Sequence, residues 1–149
     1  MKDLSHPELH NACQSAVVEV LELMFFELPI AAAQLSSSFQ PDPIAARARF
    51  DGSLRGALTL AVSTASCTRL AASLLGIEPD EIDDLNRLST VTELANMLCG
   101  ATMSRLEPEG RLHIEQPLSI PAAEAPAGPW LVFPLEDGLL SVFIQFQEQ

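Results

Sequence analysis

The stretch LNRLSTVTELANMLCG, residues 85–100, predicts an amphipathic helix around which the rest of the chain can be arranged. Its apolar residues recur at spacings of three and four, which places them on one helical face. Either Asp83 or Asp84 can cap the helix, and the pattern continues to about Leu106. The residues predicted to face the core are Leu88, Val91, Leu94, Ala95, Leu98 and Leu106.

The opposite face of this helix is unusual for a solvated surface. At about 100° per residue it collects Ser89, Glu93, Asn96, Gly100 and Ser104. Solvated helix faces are normally rich in Lys, Glu and Arg, whereas this face holds mainly small neutral residues. Gly100 costs roughly 1 kcal/mol of helix stability relative to alanine, which is easier to understand if another backbone approaches closely. The pattern therefore predicts a docking surface.

Two polar residues on this face have chemical potential. Glu93 and Asn96 are three apart, so their side chains emerge as neighbours about one turn from each other. A carboxylate can hold a Lys or Arg of a partner, and a carboxamide, which both donates and accepts, can orient a water. Phosphoryl transfer needs mainly in-line positioning and charge stabilisation, and a glutamine orients the attacking water in some GTPases. Taken alone, the spacing is weak, because an exposed Glu and Asn are usually only solvated.

The remaining pattern predicts one domain, residues 1–149, with an α+β fold: a sandwich of an antiparallel or mixed sheet with helices packed on it. The predicted order is α-β-β-α-α-β-β-β. A first helix, with Ser5 and Glu8 as a capping box, would continue to Pro29. The segment 30–43 is irregular, with room for a short edge strand. The other predicted elements are strands 44–50 and 54–62 around Asp51-Gly52-Ser53, a helix capped by Ser63 or Thr64 and ending at Gly76, and strands 112–120, 130–135 and 139–146.

Composition restricts the partners. With 8 Lys+Arg against 20 Asp+Glu, the net charge of −12 makes nucleic acid and anionic membranes poor partners. No segment has the length of a membrane span and the amino terminus lacks an apolar signal, so we expect a cytoplasmic protein. Cys13, Cys67 and Cys99 lie in apolar or small-residue surroundings, where cysteine behaves as a small hydrophobe.

Other candidate sites are weaker. His6 and His10 have a spacing that can ligate a metal, but Pro7 separates them and a third ligand is missing. His113 lies in a predicted strand, where a structural role is expected. The sequence has neither a Gly-x-Ser-x-Gly motif nor a Gly-rich phosphate loop. The acidic segment 78–84 is accounted for by a solvated turn, and Phe25-Phe26 by core or dimer packing.

The segment Glu93-Leu94-Ala95-Asn96-Met97-Leu98-Cys99-Gly100 closely resembles the ExxN helix of the CheX/CheC chemotaxis phosphatases. The downstream Ile114-Glu115-Gln116-Pro117 is similar to the family's strand with a proline, and the order of elements agrees along nearly the whole chain. The resemblance implies that Glu93 contacts a lysine of a CheY-like receiver domain and that Asn96 positions water beside its aspartyl phosphate. It implies Mg²⁺ on the receiver and none on this chain.

The resemblance is to the CheX-like members, which carry one motif and pair into homodimers through a sheet edge. Glu8-Leu9-His10-Asn11 repeats the ExxN spacing, but the small residues and glycine that should follow are missing, and the capping box explains Glu8. Ala101-Thr102 stands where many members continue with Asn. Ser89, Met97 and Gly100 are the residues predicted to dock the partner.

Two alternatives remain open from the sequence. One is a non-catalytic CheX-like module in two-component signalling that uses the same face to bind or dimerise. The other is a domain that binds a small ligand in a cleft between the sheet and the helices.

Overall fold

Three helices pack on one face of an antiparallel sheet in a computed structural model that describes residues 1–38 and 42–148. The predicted α+β class is confirmed, and the sheet is antiparallel rather than mixed at every described pairing. The helices are α1 (Pro7–Phe25), α2 (Thr64–Leu75) and α3 (Asp84–Leu106). The strands are β1 (Lys2–Asp3), β2 (Gln34–Ser36), β3 (Ile44–Gly52), β4 (Leu54–Val62), β5 (Leu112–Ile114), β6 (Leu118–Ile120), β7 (Trp130–Leu135) and β8 (Gly138–Glu148).

The sheet is built around two long hairpins. Its order is β2-β7-β8-β4-β3-β5, with β1 beside one end of β8 and β6 beside one end of β3. The β3–β4 register runs from Ile44 opposite Val62 to Phe50 opposite Gly56. The β4–β8 register runs from Leu54 opposite Glu148 to Val62 opposite Leu140. The central strands β4 and β8 therefore carry paired neighbours on both sides along most of their length.

The two faces of the sheet are covered by different parts of the chain. Successive strand residues point to opposite faces, so the alternation in β3 sends Ala46, Ala48 and Phe50 into the main core beneath the helices. The other face has a second, smaller core of Ala45, Ala61, Trp130 and Phe143. Ile120 of β6 and Ala125 cover this smaller core, and the Trp130 indole N–H donates to the Pro126 carbonyl at 3.0 Å. Helices cover one face, and an extended segment covers part of the other.

Several predicted boundaries are confirmed. The Asp83 carboxylate accepts a hydrogen bond from the Asn86 amide at 2.8 Å, which caps α3, and the helix ends at Leu106. Gly76 ends α2 in the left-handed conformation, with φ of 69°. A tight turn joins β3 to β4 at Asp51-Gly52-Ser53, as predicted, and another joins β7 to β8 at Glu136-Asp137-Gly138.

Two predictions about α1 are wrong. Ser5 does not cap the helix, because its amide and hydroxyl both donate to the Asp3 carboxylate, and His6 holds the cap position instead. Pro29 does not end the helix either, since Phe26 has already turned into the left-handed region with φ of 56°.

Some strands differ from the predicted order. The strand expected over 112–120 is divided into β5 and β6 around Pro117, which has no amide to donate to a ladder. The short strands β1 and β2 are additional, and β2 is the edge strand for which the irregular segment left room.

Candidate active site

Helix α3 is fixed by its packing against the other helices and the sheet. It packs against α1 and α2 on either side and against β3 and β4 of the sheet. Val91, Leu94, Ala95 and Leu98 are at most 1% exposed and belong to the main core. With its N-terminus capped by Asp83, the helix presents a fixed outer surface.

No residue of the predicted outer face of α3 is buried. Ser89, Glu93 and Ser104 are exposed, while Asn96 and Gly100 are half-buried. Within the described part of the chain, neither the Glu93 carboxylate nor the Asn96 carboxamide makes a hydrogen bond or an ion pair. Both functional groups are therefore available to a partner molecule and to water.

The spacing of Glu93 and Asn96 follows from helix geometry. They occupy positions i and i+3, so they lie about 60° apart around the helix axis and about 4.5 Å apart along it. Thr92 does not compete with them, because its hydroxyl donates to the carbonyls of Leu88 and Ser89 at 3.0 and 2.9 Å. The pair thus forms one polar cluster of a carboxylate and a carboxamide on a rigid support.

Gly100 lies one turn beyond Asn96 on the same face. A Cβ atom added there would meet one atom within 4 Å, Ile114 Cδ1 at 3.8 Å, which is ordinary van der Waals contact. Packing inside the described structure therefore does not require a glycine at this position. Its effect is to lower the helix surface beside Asn96 and to leave room for another molecule.

More than half of the chain, residues 44–127, matches the model of one protein family, described as chemotaxis phosphatase CheX. The chain belongs to the CheX chemotaxis phosphatase family. The matched region contains all of α3, with Glu93 and Asn96, and it leaves out α1. No protein with a curated description matches the sequence significantly.

Solved structures of CheX proteins share the fold along nearly the whole chain. CheX from Desulfovibrio desulfuricans is 18% identical with a TM-score of 0.73, covering 94% of this chain and 99% of that one. CheX from Vibrio vulnificus is 16% identical with a TM-score of 0.74, covering 94% and 97%. CheX from Borrelia burgdorferi, in a complex with CheY, BeF₃ and Mg²⁺, is 20% identical with a TM-score of 0.70, covering 95% and 97%. At these identities the likeness establishes the CheX fold.

The predicted docking residues of this CheX-family chain lie in different environments. Ser89 is exposed, four residues before Glu93. Met97 is half-buried and packs against the main core, so only part of its side chain can reach a partner. A docking role for Ser89, Met97 and Gly100 stays a prediction.

Two leucines near the start of α3 extend the outer face. Leu85 is 71% exposed and Leu88 is 40% exposed. The prediction that Leu88 faces the core is wrong, because α2 packs on this end of α3 along the side of Arg87. There the Arg87 guanidinium donates to the Thr68 hydroxyl at 2.8 Å, and the Cys67 thiol donates to the Arg87 carbonyl at 3.4 Å. Leu85, four residues before Ser89, was the sequence signal for an apolar start to this surface.

The other candidate residues form no competing catalytic site. Glu8 and Asn11 are exposed on the first turns of α1, outside the matched region. Phe25 is buried, whereas Phe26 is 85% exposed. The three cysteines are buried and free, and burial raises the pKa of each thiol to about 12. A thiol with that pKa is a poor nucleophile near neutral pH.

The described residues contain neither a cluster of metal ligands nor a helix that could span a membrane. Over residues 1–38 and 42–148, no three or more His, Cys, Asp or Glu side chains come together in a way that could hold a metal ion. In the same part of the chain, every helix is too short or too polar to cross a membrane.

Proposed function

We propose that this chain is a phosphatase that accelerates hydrolysis of the aspartyl phosphate on the receiver domain of a CheY-like response regulator. The observation that carries the proposal is that the exposed Glu93 and the half-buried Asn96 lie one turn apart on the outer face of α3 in a CheX-family chain, and that the side chain of neither is hydrogen-bonded or ion-paired to any described residue. The receiver docks on the outer face of α3, and its phosphorylated aspartate comes next to Asn96.

Asn96 acts on the attacking water. Its carboxamide oxygen accepts a hydrogen bond from the water while its N–H₂ can donate to a phosphoryl oxygen, which fixes the water in line with the bond that breaks. The water oxygen bonds to phosphorus, the bond from phosphorus to the aspartyl oxygen breaks, and both protons leave with the phosphate. A carboxamide does not titrate near neutral pH, so this step needs no proton transfer to Asn96.

Glu93 positions the receiver. As the one carboxylate between Leu85 and Arg105 on α3, it offers a single anchor for a receiver lysine, about one turn before Asn96. The exposed Leu85 and Leu88 add apolar contact area at the start of the helix. Charge fixes the register of such an interface, while apolar burial supplies much of the affinity.

The metal in this reaction belongs to the partner. The Borrelia burgdorferi complex contains CheX and CheY together with BeF₃ and Mg²⁺. We infer that a receiver brings its own Mg²⁺ to this chain as well. The ion would neutralise phosphoryl charge, and the task left to Asn96 is the orientation of water.

The test is phosphate release from a phosphorylated receiver in the presence of Mg²⁺. Asn96→Ala should slow the dephosphorylation step by about 100-fold, the scale of losing one preorganised polar contact to a reacting group. Glu93→Gln should act mainly by raising KM. Asn11→Ala, at the formally equivalent position of the other Glu-x-x-Asn segment, is the matched control and should retain full activity.

Two results would contradict the proposal. One is an Asn96→Ala variant that dephosphorylates the receiver as fast as the unsubstituted chain. The other is measurable binding to phosphorylated receivers with no acceleration of hydrolysis by any of them, which would establish the non-catalytic binding module instead.

A homodimer formed through a sheet edge is part of the proposal. The described edges are β2 on one side and β5 with β6 on the other. Both edges expose apolar side chains: Leu35 in β2 is 46% exposed and Ile30 just before it is 66% exposed, while Leu118 in β6 is 68% exposed. Pairing two such strands would satisfy open backbone groups and cover apolar side chains.

A further inference from the structure

On the sheet face that points away from the helices, the described residues leave one half uncovered. Segment 121–129 covers the half of this face around Trp130. Pro126 of that segment and Arg47 of β3 form the boundary between the covered half and the open half. The open half forms a groove of about 580 Å³. This volume lies within the range of about 300–1,000 Å³ that is usual for small-molecule sites.

The floor of the groove follows the strand register. Arg47 is opposite Thr59, and Arg49 is opposite Ala57, one residue pair further along β3 and β4. On the other side of β4, Ala57 is opposite Gln145 and Arg55 is opposite Gln147. All of these side chains share one face, because they lie two residues apart along each strand. The small Ala57 leaves a hollow between long cationic and amide side chains.

The charge in the groove contrasts with that of the whole chain. Three of the 8 basic residues line it in a protein of net charge −12. Two carboxylates, Asp51 and Glu115, also line it. Arg55 pairs with Asp51 at 3.3 Å. Within the described ranges, the guanidinium of the exposed Arg49 makes neither a hydrogen bond nor an ion pair.

Arg47 is held in place for binding. Its Nε donates to the Thr59 hydroxyl at 3.3 Å, and one terminal nitrogen donates to the Glu124 carbonyl at 3.0 Å. A guanidinium fixed by neutral acceptors keeps its charge uncompensated and has donors left over. Restraining such a side chain before binding lowers the entropy cost when a ligand arrives.

We propose that this groove binds a small ligand with a multiply charged oxyanion head, a phosphate group or a cluster of carboxylates. The guanidinium fork matches either group, with Arg49 as the main anchor and Arg47 beside it. Gln145 and Gln147 supply further donors from the opposite side. A second copy of the chain fits poorly, because a two-fold contact through this patch would bring its arginines against their own counterparts.

The experiment titrates the whole chain with pyrophosphate and, separately, with citrate at low salt. Calorimetry gives the affinity, and amide chemical shifts give the location. We expect one of the two anions to bind with a Kd below about 1 mM, with shift changes concentrated in β3, β4 and β8. The stronger binder identifies the head group as a phosphate or a carboxylate cluster. Arg49→Gln should weaken binding at least tenfold.

Two variants separate this site from general electrostatic attraction and from the proposed phosphatase site. Arg111→Gln removes an exposed arginine outside the groove and should leave the affinity within twofold. Asn96→Ala, on the opposite side of the sheet, should also leave it unchanged. Equal losses in Arg49→Gln and Arg111→Gln, no binding of either anion, or a dimer that buries the groove would overturn the proposal. Circular dichroism verifies that each variant is folded.

Discussion

Replacing Gly100 by alanine should stabilise the free protein and impair its reaction with the receiver. Inside a helix, glycine is about 1 kcal/mol less favourable than alanine. Among the described residues, the new methyl group would meet only Ile114 Cδ1, at 3.8 Å, so no packing strain offsets the gain. We therefore expect an increase of about 0.5–1 kcal/mol in the free energy of unfolding, with Tm higher by about 1–4 °C.

If a receiver docks on the outer face of α3 as proposed, the same methyl group would project into it. Overpacking a tight contact costs about 1–3 kcal/mol, which corresponds to at least a several-fold loss in kcat/KM. Urea titration measures the first effect and phosphate release from the phosphorylated receiver measures the second. Ser104→Ala, one turn further along the same face, is the control and should change kcat/KM less than twofold.

Either half of the Gly100 prediction can fail separately. A Gly100→Ala variant that is less stable than the parent would show that the space beside Ile114 is occupied in solution. A variant with unchanged kcat/KM would remove Gly100 from the docking surface and leave the roles of Glu93 and Asn96 to their own tests.

Two other predictions concern stability and assembly. Arg69→Met should lower the free energy of unfolding by about 1–2 kcal/mol at pH 7, a value discounted for partial exposure, because Arg69 bridges Glu27, Glu136 and Asp137. Burial raises the pKa of Glu27 above its ordinary 4.5, so its contribution to stability is fully present below pH 4.5 and is lost as the pH rises through the folded-state pKa. Arg69 opposes that loss, because its charge stabilises the ionised Glu27 carboxylate. In urea titrations, Arg69→Met should therefore reduce the free energy of unfolding less at pH 4 than at pH 7. Equal reductions at the two pH values would contradict this reasoning. For the homodimer, Leu35→Lys should shift sedimentation from dimer to monomer, and an unchanged dimer would exclude edge β2 as the interface.

Helices and strands could be predicted best from the sequence where a capping or turn residue agrees with the spacing of the apolar residues. In α3, the Asp83 cap and the apolar spacing specify the helix before any tertiary contact is considered, and the turn at Asp51-Gly52-Ser53 does the same for the β3–β4 hairpin. The predictions that failed concern residues whose contacts or exposure depend on a single neighbour in the folded structure. Ser5 is drawn to the Asp3 carboxylate, and Leu88 is exposed because α2 packs beside Arg87. The strand β1, with only two residues, is too short to show any periodicity.

The two candidate sites differ in how much of them could be predicted. Glu93 and Asn96 are close in the sequence on one helix, so their juxtaposition follows from helical geometry. Their roles in the reaction come from family resemblance and stay a prediction. The groove on the other face combines Arg49 with Gln145, which lie 96 residues apart. They meet only through the register of β3 with β4 and of β4 with β8, which the sequence alone does not specify.

Because six residues of α3 lie in the main core, the helix is firmly fixed, and the spacing of Glu93 and Asn96 is set before a partner binds. A helix supported in this way should exchange its amide hydrogens slowly and change little when a receiver arrives. The loss of conformational entropy on complex formation would then come mainly from the receiver's loops and from the side-chain torsions of Glu93 and Asn96. Differences in dephosphorylation rate among regulators would in that case reflect how readily the loops of each regulator adapt to the fixed surface of α3.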